Sequence, residues 1–417
     1  MTQQQSPCRL IGPFSQIVTF KNASLKGPLN AADLGIIQGG AVVVGGEGRI
    51  IEVGEIQHLV SRYKDAAHEF IQGEKVLLPG FIDAHTHILF AGSRSRDYSM
   101  RLDGKTYLEI AQAGGGIMDT VRTTREADET VLSKDLQWRL HKMLQGGITT
   151  AEVKTGYGLG VSEELRLLEV LHANKDNAVI DIVPTCLAAH MKAPDFTGNN
   201  KDYLNEIREK LFPVMDTSSL AARVDIFVES SAFTIEEAKP YLNAAKDRGW
   251  DITVHADQFT PGGAELAVSL GAVSADHLEA STEKDIHIIA GSNTVATVLP
   301  GASLGLGISF APARKLLDAG AAVAIASDWN PGSAPMGNLL AEAALLGVYE
   351  KLSMAETLAG LTFRAAAALK LSDRGRIVKN AIGDMQAYDT SDYRDILYNQ
   401  GSLRPSIIWT KSKRYDQ

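Results

Sequence analysis

Only two cysteines, Cys8 and Cys186, occur in 417 residues. They are too few and too far apart for a disulfide framework, and the pair fits a reducing compartment. Cys186 lies inside an apolar stretch, where a buried structural thiol is expected rather than a reactive one. No run of about 18 apolar residues occurs, so no membrane-spanning helix is expected. The opening residues MTQQQSPCRLIGPF lack a basic segment followed by an apolar one, and a cytoplasmic protein without a secretory signal is the expectation. Basic charge is also short. A net charge of −9 argues against a nucleic-acid partner, and the basic run Lys411 to Arg414 reads as a solvated terminal face. A dinucleotide fingerprint is missing too, because Gly114-Gly115-Gly116 does not follow a strand in the G-x-G-x-x-G form.

What is present is ordinary globular material, 45% hydrophobic and 22% charged, in a chain long enough for one large and one smaller domain. From about residue 80 onward, short β-branched runs alternate with helical patterns, the mark of parallel strands joined by crossover helices. The runs are Phe81–His87, Ile148–Lys154, Val179–His190, Val224–Glu229, Ile252–Asp257, Val273–Leu278, Val295–Pro300 and Val323–Asp328. Between them, Leu132, Leu136, Leu140, Met143 and Leu144 recur at helical spacing before Gly146 and Gly147. Thr234-Ile235-Glu236-Glu237 supplies a capping box for a helix running toward Gly249. Eight strand and helix pairs predict an α/β fold, a TIM-like (β/α)8 barrel over 76–379. Ala41–Val44 and Ile50–Val53, split by the turn Gly45-Gly46-Glu47-Gly48, and the β-prone Ser406–Thr410 predict a small β-sandwich domain formed by residues 1–75 and 380–417.

In such a barrel the residues ending the strands line the active site. His85 and His87 end the first run, His190 the third, His255 the fifth, His277 the sixth and Asp328 the eighth. His58, His68, His141, His172 and His287 lie in helical or peripheral segments. Side chains alternate along a strand, so His85 and His87 point the same way and Thr86 away from them. Imidazoles with a carboxylate are a ligand set for zinc and for iron, and an open position admits a water whose pKa the metal lowers. The joint placement of these imidazoles and a carboxylate at one end of the barrel therefore predicts a metal site there.

The chain resembles the amidohydrolase superfamily through Pro79-Gly80-Phe81-Ile82-Asp83-Ala84-His85-Thr86-His87 and Ala326-Ser327-Asp328. Within it, the chain is similar to the imidazolonepropionase family through Phe90-Ala91-Gly92-Ser93-Arg94, Gly114-Gly115-Gly116-Ile117, Glu152-Val153-Lys154-Thr155-Gly156-Tyr157-Gly158-Leu159, Ala188-Ala189-His190, His255-Ala256-Asp257-Gln258, Ser274-Ala275-Asp276-His277-Leu278 and Asp328-Trp329-Asn330-Pro331-Gly332-Ser333. The resemblance covers nearly the whole chain. It implies hydrolysis of the ring amide of 4-imidazolone-5-propanoate to N-formimidoyl-L-glutamate, in histidine degradation, on one zinc or iron ion. It places His85, His87, His255 and Asp328 at metal-ligand positions and Arg94, Tyr157, His190, Gln258, Asn330, Gly332 and Ser333 at substrate-contact positions, with Arg94 suited to a carboxylate. The implied chemistry has a metal-activated water attack the lactam carbonyl, His190 or His277 stabilise the oxyanion, Asp328 shuttle the proton and Gln258 hold the ring edge. Some superfamily members bridge two metals with a carboxylated lysine on a barrel strand; here Lys154 ends the second strand, and in the resembled family that lysine makes no second site, so one metal is expected.

Two stretches depart from the resembled pattern. Gly301-Ala302-Ser303-Leu304-Gly305-Leu306-Gly307 stands where aromatic residues are usual, and Gly383-Asp384-Met385-Gln386-Ala387-Tyr388 replaces a more apolar strand. The alternative reading is another amidohydrolase, a deaminase or a cyclic-amide hydrolase, on the same scaffold. A non-catalytic metal-binding protein is a second class, against which the intact ligand set argues. A small-molecule substrate is the expected partner. A homodimer is compatible with a chain of this size, though no residue marks an interface.

Overall fold

Eight short apolar segments, each too short to bury itself, pair side by side in chain order. The computed structural model describes residues 8–417. Among these, the parallel strands Phe81–Asp83, Ile148–Lys154, Asp181–Ala189, Arg223–Ile226, Asp251–Ala256, Ser274–His277, Val295–Val298 and Val323–Ile325 form one sheet in sequence order. Each corresponds to one of the eight runs expected from sequence. The sheet closes beyond the last regular pairs, where Thr86 bridges Trp329. There His87 N donates to Trp329 O at 3.0 Å and Asp328 N donates to His85 O at 3.0 Å. The seam of the barrel thus runs through three of the expected metal ligands.

The crossover helices follow their sequence signals. Thr234 caps Ile235–Lys246 with its side chain on the Glu237 amide, and the Glu237 side chain returns to the Thr234 amide. Leu132, Leu136, Leu140, Met143 and Leu144 are all buried on one side of Glu129–Gln145. Cys186 is fully buried in the third barrel strand, as a structural thiol would be.

The two chain ends build a second, mixed sheet. Its strand order is Lys413–Asp416, Ile407–Thr410, Met385–Tyr388, Val76–Pro79, Arg9–Ile17, Ile37–Val44 and Ile50–Glu55, with Ala67–Phe70 also paired to Arg9–Ile17. It takes in Val76–Pro79, just past the boundary drawn after residue 75. Phe14, Val42, Leu77, Met385 and Trp409 pack in its interior, with the Phe14 and Trp409 rings edge-on at 6.1 Å.

Both departures have a physical account. Met385–Tyr388 is buried throughout, and its polar Gln386 is satisfied by donating to Pro79 O at 3.0 Å and accepting from the Tyr388 hydroxyl at 2.8 Å. The glycine-rich stretch forms the helix Pro300–Leu306. A Cβ on Gly305 would fall 1.6 Å from Ser333 O and one on Gly301 2.3 Å from Ser327 O. Glycine is needed because the loop carrying Asp328 and Ser333 lies directly against this helix.

Candidate active site

The barrel's polar mouth opens into a cavity of ≈ 660 Å³. His87, Arg94, Tyr157, His190, His255, Gln258, His277, Asp328, Asn330, Gly332 and Ser333 all line it. Of the residues expected from sequence, only the fully buried His85 is absent from its wall. Arg101, Met191, Phe227, Phe259 and Ile308 also line the wall and had not been singled out. Arg101 lies two helical turns after Arg94, which brings both guanidiniums to one side of Ser95–Leu102.

His85, His87 and His255 converge at its floor. His87 Nε2 lies 3.2 Å from His85 Nε2 and 3.2 Å from His255 Nε2. Asp328 Oδ1 lies 3.3 Å from His87 Nε2 and 3.6 Å from His85 Nε2. The other nitrogen of two rings is engaged behind them: His85 Nδ1 meets Asp276 Oδ2 at 2.7 Å, and His255 Nδ1 faces Asp225 Oδ2 at 2.8 Å. A carboxylate holds the ring proton on Nδ1 and leaves Nε2 as a lone pair. Burial keeps the rings neutral, pulling His87 and His255 down to about 3 and His85 well below its usual value. Neutral lone pairs facing each other at this distance repel unless they share a cation. The donor set of His85, His87, His255 and Asp328 therefore fits a metal ion.

Asp328 reaches this point from a left-handed backbone at φ 53°. Its loop is tied by Asn330, whose Nδ2 donates to Asp328 O at 2.7 Å and to Ser333 Oγ at 2.9 Å. Asn330 Oδ1 accepts from the amides of Gly332 and Ser333, each at 2.8 Å. The Asn330 amide is thus fully engaged in the turn it organises. Burial raises the Asp328 carboxyl above its ordinary value, although His277 and His255 work against the shift. Ser333 Oγ stands 3.4 Å from Asp328 Oδ2.

Arg94 Nε donates to Asp97 at 2.5 Å, and the same carboxylate accepts from Gly116 N at 2.8 Å. Asp97 thereby ties the arginine to the glycine run at 114–116 and leaves the terminal guanidinium nitrogens free. His190 Nδ1 lies 3.1 Å from Gly156 O, and burial lowers this ring to about 3, so Nδ1 donates and Nε2 is an acceptor. His277 differs: burial lowers it, but Glu279, facing Nδ1 at 3.5 Å, leaves it raised. Burial also raises Tyr157, keeping its hydroxyl protonated. The Tyr157 loop is held from behind by buried Glu164, which accepts from Gly156 N at 3.1 Å and from Gly158 N and Leu159 N at 2.8 Å each.

Sequence reading did not single out Asp97, Glu164, Asp225 or Asp276. One signal was available. Glu152 and Lys154 are charged residues two apart in an otherwise apolar strand, pointing to one face inside the barrel. Lys154 Nζ lies 2.7 Å from Glu152 Oε2 and 2.8 Å from Asp225 Oδ2.

Residues 104–398 match the amidohydrolase family. Among curated proteins, the imidazolonepropionase of Clostridium tetani is 36% identical over 390 residues, 93% of either chain. That of Geobacillus kaustophilus is 38% identical over 394 residues, 93% of this chain and 92% of its own. Among solved structures, zinc-bound atrazine chlorohydrolase TrzN from Arthrobacter aurescens superposes with TM-score 0.70 at 15% identity, covering 98% of this chain and 95% of the other. An adenosine deaminase from Xanthomonas campestris with bound zinc gives TM-score 0.69 at 17% identity, covering 98% and 93%. At such low identity these two speak for the fold alone, whereas the curated relatives carry the assignment: this chain belongs to the amidohydrolase family and, within it, to the imidazolonepropionases.

Proposed function

We propose that this cavity hydrolyses the ring amide of 4-imidazolone-5-propanoate to N-formimidoyl-L-glutamate, on one zinc or iron ion held by His85, His87, His255 and Asp328. The observation that carries the reading is one cavity that has a convergent set of neutral imidazoles at its floor and, on its wall, an arginine already oriented by Asp97. The first suits a Lewis-acid centre and the second suits the propanoate carboxylate. Imidazole and carboxylate accept zinc and iron alike.

When bound, the ion polarises the lactam carbonyl and lowers the pKa of water. Arg94 binds the propanoate through its terminal nitrogens, and the protonated Tyr157 hydroxyl adds a donor beside it. Gln258 holds the ring edge without changing charge. His277, whose protonated form Glu279 favours, donates to the developing oxyanion. His190 is less suited to that task, since its proton faces Gly156 and its Nε2 accepts. Asp328 takes a proton on Oδ2, the oxygen turned toward Ser333 Oγ, and passes it to the leaving ring nitrogen. Asn330 and Gly332 shape the turn that sets Ser333 beside that oxygen.

Purified protein mixed with fresh 4-imidazolone-5-propanoate should abolish its ultraviolet absorbance and yield N-formimidoyl-L-glutamate, while adenosine and dihydropyrimidine rings stay intact. Arg94→Ala should raise KM about ten- to a hundredfold, the worth of a charge-assisted pair. Turnover of adenosine in place of the imidazolone would replace this reading with a deaminase.

A further inference from the structure

Lys154 takes no part in the chemistry above, yet it is fully buried among the carboxylates that orient the metal-ligand histidines. Its ammonium contacts Glu152 at 2.7 Å and Asp225 at 2.8 Å, and lies 3.8 Å from Asp276. The Asp225 oxygen it touches, Oδ2, is the one facing His255 Nδ1. The Asp276 oxygen nearest it, again Oδ2, is the one bonded to His85 Nδ1. One ammonium therefore anchors the partners of two separate ligands. Arg223 holds the far side of Glu152, with Nε at 3.0 Å from Oε1.

The same place has the makings of a second cation site. His85, Glu152 and Asp276 bring ligand-type atoms within 4.8 Å of one another, and Lys154 contacts or approaches both carboxylates of that group. Carboxylation of Lys154 would put another anion against Glu152, Asp225 and Asp276. Like charges so close in a buried site repel strongly.

We infer that Lys154 is a built-in second cation: its ammonium stands where a second metal ion would, clamps Asp225 and Asp276 against His255 and His85, and so sets the affinity of a one-ion centre. This rests on the metal-centre reading proposed above. Lys154 is a positioning residue, two contacts removed from the ion. Outer partners of metal-ligating histidines change metal affinity by about ten- to a hundredfold when replaced.

The test is zinc binding by chelator-stripped protein, read by competition with a chromophoric chelator, with bicarbonate present. Wild type should saturate at one zinc per chain. Folded Lys154→Met, checked by circular dichroism, should bind zinc about ten- to a hundredfold more weakly. Asp276→Asn should fall in the same range. The double variant should be no weaker than the weaker single one, because both changes break one device. Two zinc ions per wild-type chain would overturn the inference. So would wild-type affinity in folded Lys154→Met, or a fully multiplicative loss in the double variant. The wild-type stoichiometry keeps the inference refutable even where Lys154→Met does not fold. Failure of wild type to bind zinc or iron at all is a separate outcome, which removes the metal-centre reading itself.

Discussion

The barrel interior and the terminal sheet are both buried, but with opposite chemistry. The terminal sheet encloses Phe14, Val42, Leu77, Met385 and Trp409, and apolar burial of this kind stabilises by about 25 cal/mol per Å². The barrel floor encloses Glu152, Lys154, Arg223, Asp225 and Asp276, each at most 3% exposed. Buried charges repay their desolvation poorly even when paired. The contrast teaches that the terminal sheet contributes stability, while the barrel floor gives up stability to hold imidazole rings in one tautomer and one direction.

Substitutions in the two regions should therefore separate cleanly. The largest effect is expected at Asp328→Ala, which removes both the proposed ligand and the proposed proton carrier: kcat should fall at least about a thousandfold, ~4 kcal/mol of the barrier, with near-normal unfolding in the metal-free state. Trp409→Ala should do the reverse, costing about 3–5 kcal/mol in a denaturant titration and leaving kcat per folded molecule unchanged. A large loss of kcat there would mean that the two regions are not separable.

Glu164→Gln sharpens the comparison inside the barrel. It keeps the shape of the side chain but removes the charge accepting three amides of the Tyr157 loop. KM should rise about tenfold, roughly 1.4 kcal/mol, with a smaller change in kcat; equal loss in both would assign Glu164 to the chemical step instead.

Acid should distinguish the regions as well. His87, His190 and His255 lie near 3 when folded, against about 6.5 in an unfolded chain. Between these values the unfolded chain binds more protons, so metal-free protein is fully stabilised above about pH 6.5 and loses stability as pH falls toward 3. The slope is up to about 1.4 kcal/mol per unit for each histidine. Trp409→Ala should leave that slope unchanged, and a flat profile would show that these rings are not buried neutral.

The barrel was legible because its signals are local. Each strand is an apolar run, and the histidine or aspartate at the end of the first, third, fifth, sixth and eighth is adjacent to its run in sequence. The partners behind those residues were not legible, because Asp225 and Asp276 reach His255 and His85 from other strands. Asp276 lies inside the motif with His277, yet its partner His85 is 191 positions away. The chain ends show the same limit. Val76–Pro79 pairs antiparallel with Met385–Tyr388, and no local pattern carries that register. The glycines at 301 and 305 marked a departure in sequence, but the close approach of Ser327 and Ser333 that requires them appears only in the fold.

The most direct test of the central claim is turnover of 4-imidazolone-5-propanoate by chelator-stripped protein as zinc or iron is returned in steps. Activity should be absent at the start, rise linearly and break at one ion per chain, with Asp328→Ala silent throughout. Full turnover by the stripped protein would contradict the account, as would activity that rises only with a second ion.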